Sequence, residues 1–378
     1  MTPVAIVHDY LTQRGGAERV VLSMLKAFPT APLYTSLYQP DGTFPEFRWA
    51  DVRPLAIDRI PGLRHHHRFA LPLLAAAFSN LLVNAEVVLC SSSGWAHGVQ
   101  TLGRKIVYCY TPARWLYQSE KYLAGPQPFE AAALSSLAPY LRRWDRRAAF
   151  SAHRYVTQSS VVRARIRQVY GIDAEILPGP YRLTPEHLQV PVEEVTPGFF
   201  LCVSRLLPYK NVGAVIGAFS ELPRQHLVIV GDGPQGMALR RIAPANVTFV
   251  GAVSDAQLAW LYAHTSGIIT AAYEDYGLTP LEAAAFGKPS LVLRWGGFLD
   301  TVVEDTTGIF FDSPTPAQIR EAVRRFHGRT FNQEAIRAHA SRYSEDAFVR
   351  RLRAVVASEM PGERAPLEPR PPAVAALG

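Results

Sequence analysis

The sequence predicts an α/β protein of two doubly wound domains, each a mainly parallel sheet flanked by helices, facing each other across a cleft. Three observations carry that expectation. Short apolar runs alternate with helical stretches along both halves, the rhythm of βα units. Residues 178–197 break the rhythm, with five prolines (178, 180, 185, 191 and 197) and no periodicity. Beyond them the rhythm restarts, and 378 residues suffice for two domains. The expected division is a first domain over 1–178, a linker over 179–197 and a second domain over 198–345. A last helix over 346–360 and a disordered Pro/Ala-rich tail over 361–378 complete it.

In the first half, Val4–Val7 reads as a strand, and a helix from about Ala17 to Phe28 stops before Pro29. Between them Gly15 and Gly16 let the backbone approach a ligand, and a helix N-terminus favours phosphate; a plain βα turn is the alternative. Arg64-His65-His66-His67-Arg68 reads as a solvated basic turn rather than a metal site, because adjacent residues point apart. The apolar run 69–83 contains Pro72 and is too short to span a bilayer. Glu86–Cys90 and Ile106–Cys109 read as buried parallel strands whose following loops open on one edge. Those loops carry His97 on one side and Tyr110 with Arg114 on the other. Tyr140–Phe150 reads as a basic surface helix, Arg154–Thr157 as a strand and Ser160–Tyr170 as a helix. Its Arg163, Arg165 and Arg167 are taken as a solvated face.

In the second half, strands are expected near 199–203, 226–230, 247–250, 267–272 and 289–293. After the first comes Ser204–Asn211, where a strand-end Arg205 and Lys210 suit a diphosphate. Gly231-Asp232-Gly233-Pro234-Gln235-Gly236 spells the G-x-G-x-x-G of dinucleotide sites, which raises an NAD-dependent oxidoreductase as an alternative. Against it, the motif follows the second strand of its domain, and the next strand ends in Gly251 rather than in a ribose-binding acid.

The stretch Tyr273–Pro289, YEDYGLTPLEAAAFGKP, lies between two apolar runs. Thr279 is expected to cap a helix there, with Pro280 in its first position, Glu282 three residues after the cap and Gly287 at its end. Glu282 then reads as a capping-box residue and Glu274 as a loop acid, or both as ligand-facing carboxylates in a crevice at a strand end. A glycine pair, Gly296-Gly297, opens another short helix that contains Asp300.

Taken together these motifs resemble the retaining GT-B glycosyltransferases of the family 4 type, nearest to mannosyltransferases of polysaccharide assembly. The shared features are Gly15-Gly16-Ala17-Glu18-Arg19, Arg205 with Lys210-Asn211, a Gly-x-Gly-Pro turn, Glu274 with Glu282 around GLTPLEA, and Gly296-Gly297. The resemblance runs from about Val4 to Met360 and implies two Rossmann-like domains and a metal-independent transfer of a sugar with retention. It implies Arg205, Lys210 and Glu274 as catalytic, with Glu274 facing the transferred sugar and Glu282 holding the ribose. The donor-binding set would be Gly15, Gly16, Val253, Tyr276, Gly277, Leu278, Thr279, Glu282, Gly296 and Gly297. Tyr110, Arg114 and His97 would lie on the acceptor side. The donor it suggests is GDP-mannose, and the acceptor a glycan or a lipid-linked glycan of the cell surface. Two positions depart from the family: Tyr110 stands where a histidine is usual, and Asp300 where glutamate is common. A catalytically idle scaffold of the same fold is the alternative that the first departure raises.

The net charge is +7, unevenly spread. Residues 55–170 hold fifteen Lys/Arg and five Asp/Glu, a balance of +10, so the remainder sums to −3. That asymmetry points to an anionic partner. Nucleic acid would account for the charge but not for the placed carboxylates and glycines. An anionic membrane surface met by Arg59, Arg64, Arg68 and the apolar positions 69, 71, 73 and 74 accounts for the charge and the apolar strip; a solvated turn followed by an ordinary buried helix is the alternative. The cysteines Cys90, Cys109 and Cys202 lie in apolar runs without metal-ligand spacing, as buried thiols of a reducing compartment. The expectation is a cytoplasmic protein, peripheral at the inner face of a membrane, with neither metal nor cofactor.

Overall fold

The computed structural model describes residues 2–64, 67–118 and 128–360. These form two compact units, one built from residues up to Val156 together with those from Val349 onward, the other from Thr157–Phe348.

The first unit is built on strands β1 (Thr2–His8), β2 (Leu33–Thr35), β3 (Val52–Pro54), β4 (Ala85–Ser92), β5 (Arg104–Cys109) and β6 (Arg154–Thr157), of which β1 to β5 pair in parallel. They run in the order β3-β2-β1-β4-β5-β6. β1 and β4 are buried almost throughout, as strands covered on both faces must be, and so they read as unbroken apolar runs. The order reverses between β1 and β4, which places the loops after these two strands side by side at the carboxyl edge. The helix after β1 is Gly16–Ala27, one residue earlier than expected at each end. The helix expected over 140–150 extends from Pro128 to Phe150. It is not simply a surface helix, because Leu141, Asp145, Ala148 and Ala149 are buried.

The second unit contains β7 (Phe200–Val203), β8 (Leu227–Val230), β9 (Val247–Gly251), β10 (Gly267–Thr270), β11 (Ser290–Leu293) and β12 (Gly308–Phe311). All their pairings are parallel, in the order β9-β8-β7-β10-β11-β12. This is the doubly wound order, with its reversal between β7 and β10. One core lies on each face. Val215, Phe219, Leu291 and Ile319 belong to one, and Leu201, Leu261, Leu281 and Ile336 to the other. β12 and the helices Pro316–His327 and Gln333–Ser341 complete the unit.

The compact units divide at Val156/Thr157. The reason is visible at the helix Ser160–Tyr170, whose polar contacts go to loops of the second unit: Arg165 to Asp275, and Ser160 to Asp300. The last helix, Glu345–Ala357, runs across the second boundary. Its Arg353 donates to the Ala27 carbonyl at 3.0 Å, and Glu359 beyond it pairs with Arg104 at 2.8 Å, both within the first unit. The expected disorder of the tail 361–378 falls outside the described residues.

Candidate functional site

Two loops meet where the second sheet reverses its order. The loop after β7 carries Arg205 and Lys210, and the loop after β10 carries Glu274. They are joined by backbone and side chain. The Tyr273 N–H donates to the Tyr209 carbonyl at 3.1 Å, and the Asn211 side chain donates to the Ala271 carbonyl at 2.9 Å. Asn211 itself takes a left-handed conformation (φ 52°), which asparagine tolerates better than most residues. Lys210 forms an ion pair with Glu274, and its ammonium lies 5.1 Å from the Tyr209 ring centroid. Arg205 stands exposed at the strand end, with no ion pair to another described residue.

A third loop, after β11, closes onto the second. Gly296 has φ 59°, and a Cβ there would sit 2.2 Å from the Glu274 carbonyl oxygen. The Gly297 N–H donates to that same oxygen at 2.9 Å. The glycine pair is needed because the backbone of Glu274–Tyr276 lies directly against it.

The helix after β10 begins at Leu278, with Gly277 (φ 87°) as its cap and no side-chain cap bond. Thr279 and Pro280 are therefore its second and third residues, which corrects the expected start. Glu282 does not act as a capping-box residue. Its Oε2 accepts the Tyr262 hydroxyl at 2.8 Å. The reason is the left-handed glycine, which brings the chain into the helix earlier than a threonine cap would. Leu278 and Val253 are half-buried against the core of this face, and Tyr276 is buried with its hydroxyl on the Gly179 carbonyl.

Several partners of this site were invisible to sequence spacing. Arg165 holds the buried Asp275 carboxylate with two bonds of 2.7 and 2.9 Å, so it does not belong to a solvated face. Ser159, the cap of its helix, donates to the Asp275 carbonyl. Asp300 accepts from both the N–H and the hydroxyl of Ser160 at 2.8 and 3.0 Å. Asp275 stood within the motif, but nothing local marks a partner 110 residues away.

The Gly231–Gly236 turn has an internal explanation. A Cβ at Gly231 would lie 2.2 Å from the Ser204 carbonyl oxygen, and one at Gly233 would lie 2.7 Å from the Leu206 nitrogen. These glycines admit the backbone of the loop after β7. The turn follows β8, away from the reversal point where a dinucleotide fingerprint would sit.

In the first unit, Gly15 caps the helix Gly16–Ala27, and a Cβ on it would meet the Glu18 carboxylate at 2.5 Å. Tyr110 is buried beneath this turn and donates to the Ala17 carbonyl at 3.1 Å. Its single proton being so used, the Ser91 hydroxyl donates to Tyr110 at 2.9 Å, and His8 Nδ1–H supplies Ser91 at 2.9 Å. Burial raises the Tyr110 phenol well above its ordinary pKa, so it stays a neutral donor. His97 is buried too, with Nδ1 on the Ser92 hydroxyl at 3.0 Å and Nε2 3.0 Å from Asp145. Nδ1 is thus hydrogen-bonded inside the unit, while Nε2 approaches the Asp145 carboxylate without hydrogen-bond geometry. Arg114 opens the short helix Arg114–Tyr117.

The membrane-facing expectation is altered at one arginine. Arg64 chelates Asp58 at 2.9 and 2.6 Å, which offsets its charge, while Arg59 is exposed. In the helix His67–Ser79, Leu74 and Phe78 are buried and Leu73 is half exposed. His65 and His66, and the side chains at 67–72, lie outside the described residues. Among the described residues no helix is long and apolar enough to cross a membrane, and no three His, Cys, Asp or Glu cluster as metal ligands would.

Comparison with known proteins agrees with this architecture. Residues 184–356 match the family model described as glycosyl transferases group 1. The D-inositol 3-phosphate glycosyltransferase of Mycobacterium tuberculosis (strain H37Rv) is 30% identical over 202 residues, covering 48% of this chain and 41% of its own. The chain thus spans about two fifths of the length of the curated relatives it matches. Among solved structures, Anabaena Alr3699/HepE in complex with UDP-glucose superposes with a TM-score of 0.69 at 15% identity, over 94% of this chain and 99% of that one. The lipopolysaccharide outer core galactosyltransferase WaaB gives 0.64 at 15% identity, over 95% and 100%. WaaG, a glycosyltransferase involved in lipopolysaccharide biosynthesis, gives 0.61 at 16% identity, over 93% and 99%. The fold is that of the GT-B glycosyltransferases, with two parallel-sheet α/β units.

Proposed function

We propose that the chain is a glycosyltransferase that draws on a nucleotide-sugar donor and retains the anomeric configuration. The observation that carries this reading is the convergence of three loops at the reversal point of the second sheet. One brings Arg205 and Lys210, one brings Glu274, and one brings the Gly296-Gly297 backbone. The match of residues 184–356 to glycosyl transferases group 1 covers the same loops.

The chemical demand is electrostatic. As the sugar leaves, negative charge grows on the diphosphate while the ring becomes oxocarbenium-like, so preorganised cations lower the barrier. Arg205 and Lys210 supply that charge without a metal. Lys210 pairs with Glu274, so a donor phosphate at this place shares the ammonium while Glu274 faces the sugar. Glu282, steadied by Tyr262, takes the ribose hydroxyls. By the resemblance of its motifs the donor is GDP-mannose. The acceptor is a glycan or lipid-linked glycan at the inner face of a membrane, which the basic first half favours.

A thermal-shift panel of GDP, UDP, ADP and their sugars tests the donor. The reading predicts that one nucleoside diphosphate raises the melting temperature, GDP before UDP, and that the R205A/K210A protein loses the shift. Equal shifts in both proteins would overturn the assignment of these residues.

A further inference from the structure

We propose that Arg165 is a positioning residue for the donor loop, and that the start of its helix, Ser160–Tyr170, braces two of the three loops of the proposed site. The inference rests on the donor reading above but concerns residues outside it. Asp275 lies between Glu274 and Tyr276, and its side chain is 8% exposed. The Arg165 guanidinium grips this carboxylate through both oxygens, and the Ser159 hydroxyl takes the carbonyl of the same residue. The first two turns of this helix thus fix both the side chain and the backbone of the residue next to Glu274. The adjacent Ser160 holds Asp300 through its N–H and hydroxyl, and Asp300 lies in the short helix Phe298–Thr301 that follows Gly296-Gly297 at the end of the third loop. The two braced loops are in turn bonded to each other through Gly297 and Glu274.

A planar fork on a carboxylate restricts orientation as well as distance, which a lysine cannot do. The pair also settles charge. With Arg165 on Asp275 and Lys210 on Glu274, the two adjacent loop carboxylates are each matched by a cation. Arg205 then remains as the exposed positive group at the strand end. Loss of Arg165 takes the two-pronged guanidinium contact from Asp275 and loosens the loop that carries Glu274. Misplacement of a reacting group by about 1 Å can cost on the order of a hundredfold in rate.

The experiment compares the full chain with R165K, R165A, D275N and K210A. Turnover of GDP-mannose and UDP-glucose to free nucleoside diphosphate is measured, together with melting temperature and amide hydrogen exchange over residues 271–279. Positioning predicts that R165A and D275N lose about tenfold to a hundredfold in kcat with donor KM changed far less, and that R165K is intermediate. It also predicts faster exchange at 274–277 while β7 and β10 keep their protection, a readout that needs no turnover. If R165A or D275N lowers only the melting temperature, with wild-type kcat and unchanged local exchange, the proposal fails. Should R165A fail to fold, D275N, nearly isosteric, carries the same comparison. K210A separates the two ideas: normal turnover in K210A sinks the donor reading, while an impaired K210A beside a normal D275N sinks only the brace.

Discussion

Replacing Gly297 by alanine would put a methyl carbon 2.3 Å from both the Cα and the carbonyl oxygen of Tyr276. Ordinary contact begins near 3.4 Å, so the Tyr276 backbone has to retreat by about 1 Å, and neither atom belongs to a side chain that could swing away. Gly297 has φ −67° and ψ −15°, which alanine adopts without strain, so the clash alone sets the cost. Overpacking of this kind costs about 1–3 kcal/mol. The same retreat stretches the Gly297 N–H bond to Glu274 and carries Glu274 away from its place, for about a hundredfold in turnover. Urea denaturation gives the first quantity, and release of nucleoside diphosphate from the donor gives the second. Gly328→Ala is the control, since a Cβ there meets only the Arg325 carbonyl oxygen at 3.6 Å. A G297A protein with the stability and turnover of G328A would refute the packing of the glycine pair against the donor loop.

Three further outcomes are expected. Glu282→Gln weakens nucleotide affinity by about tenfold or more, the scale of a hydrogen bond to a charged group, at an unchanged melting temperature because Glu282 caps nothing; calorimetric titration measures it. Burial lowers the His339 imidazole below its ordinary 6.5, so the folded chain binds fewer protons there than the unfolded one. Its contribution to stability is complete above about pH 6.5 and falls as the pH drops below that, and His339→Gln should flatten this part of a pH–stability curve. Burial pushes the Cys90 and Cys202 thiols up to about 12, so iodoacetamide at pH 7.5 should label them only after denaturation.

Strands β7 to β11 of the second unit were legible to within about two residues, because parallel strands covered on both faces must be apolar throughout. Its loops were legible for a related reason: Arg205, Lys210, Glu274 and the glycine pair all fall at strand ends. Harder features depended on geometry rather than composition. β2 and β3 have three residues each, too few to show a period, and β12 went unread although it is as long as β7, β8, β10 and β11. The helix start at Leu278 hinged on the left-handed Gly277, which spacing alone assigned to a loop. Arg163, Arg165 and Arg167 look alike in sequence. Yet Arg163 pairs with the exposed Asp173 while Arg165 pairs with the buried Asp275, a difference made by tertiary contact.

The central claim is that Arg205 and Lys210 stabilise the charge of a departing nucleoside diphosphate. Single-turnover release of that diphosphate from saturating GDP-mannose, with UDP-glucose in parallel, tests it most directly in the wild type and in R205A and K210A. The account predicts measurable release by the wild type with one of the two donors, and a loss of about a hundredfold or more in each variant. Release at the wild-type rate by both variants, or none by the wild type with either donor, would contradict it.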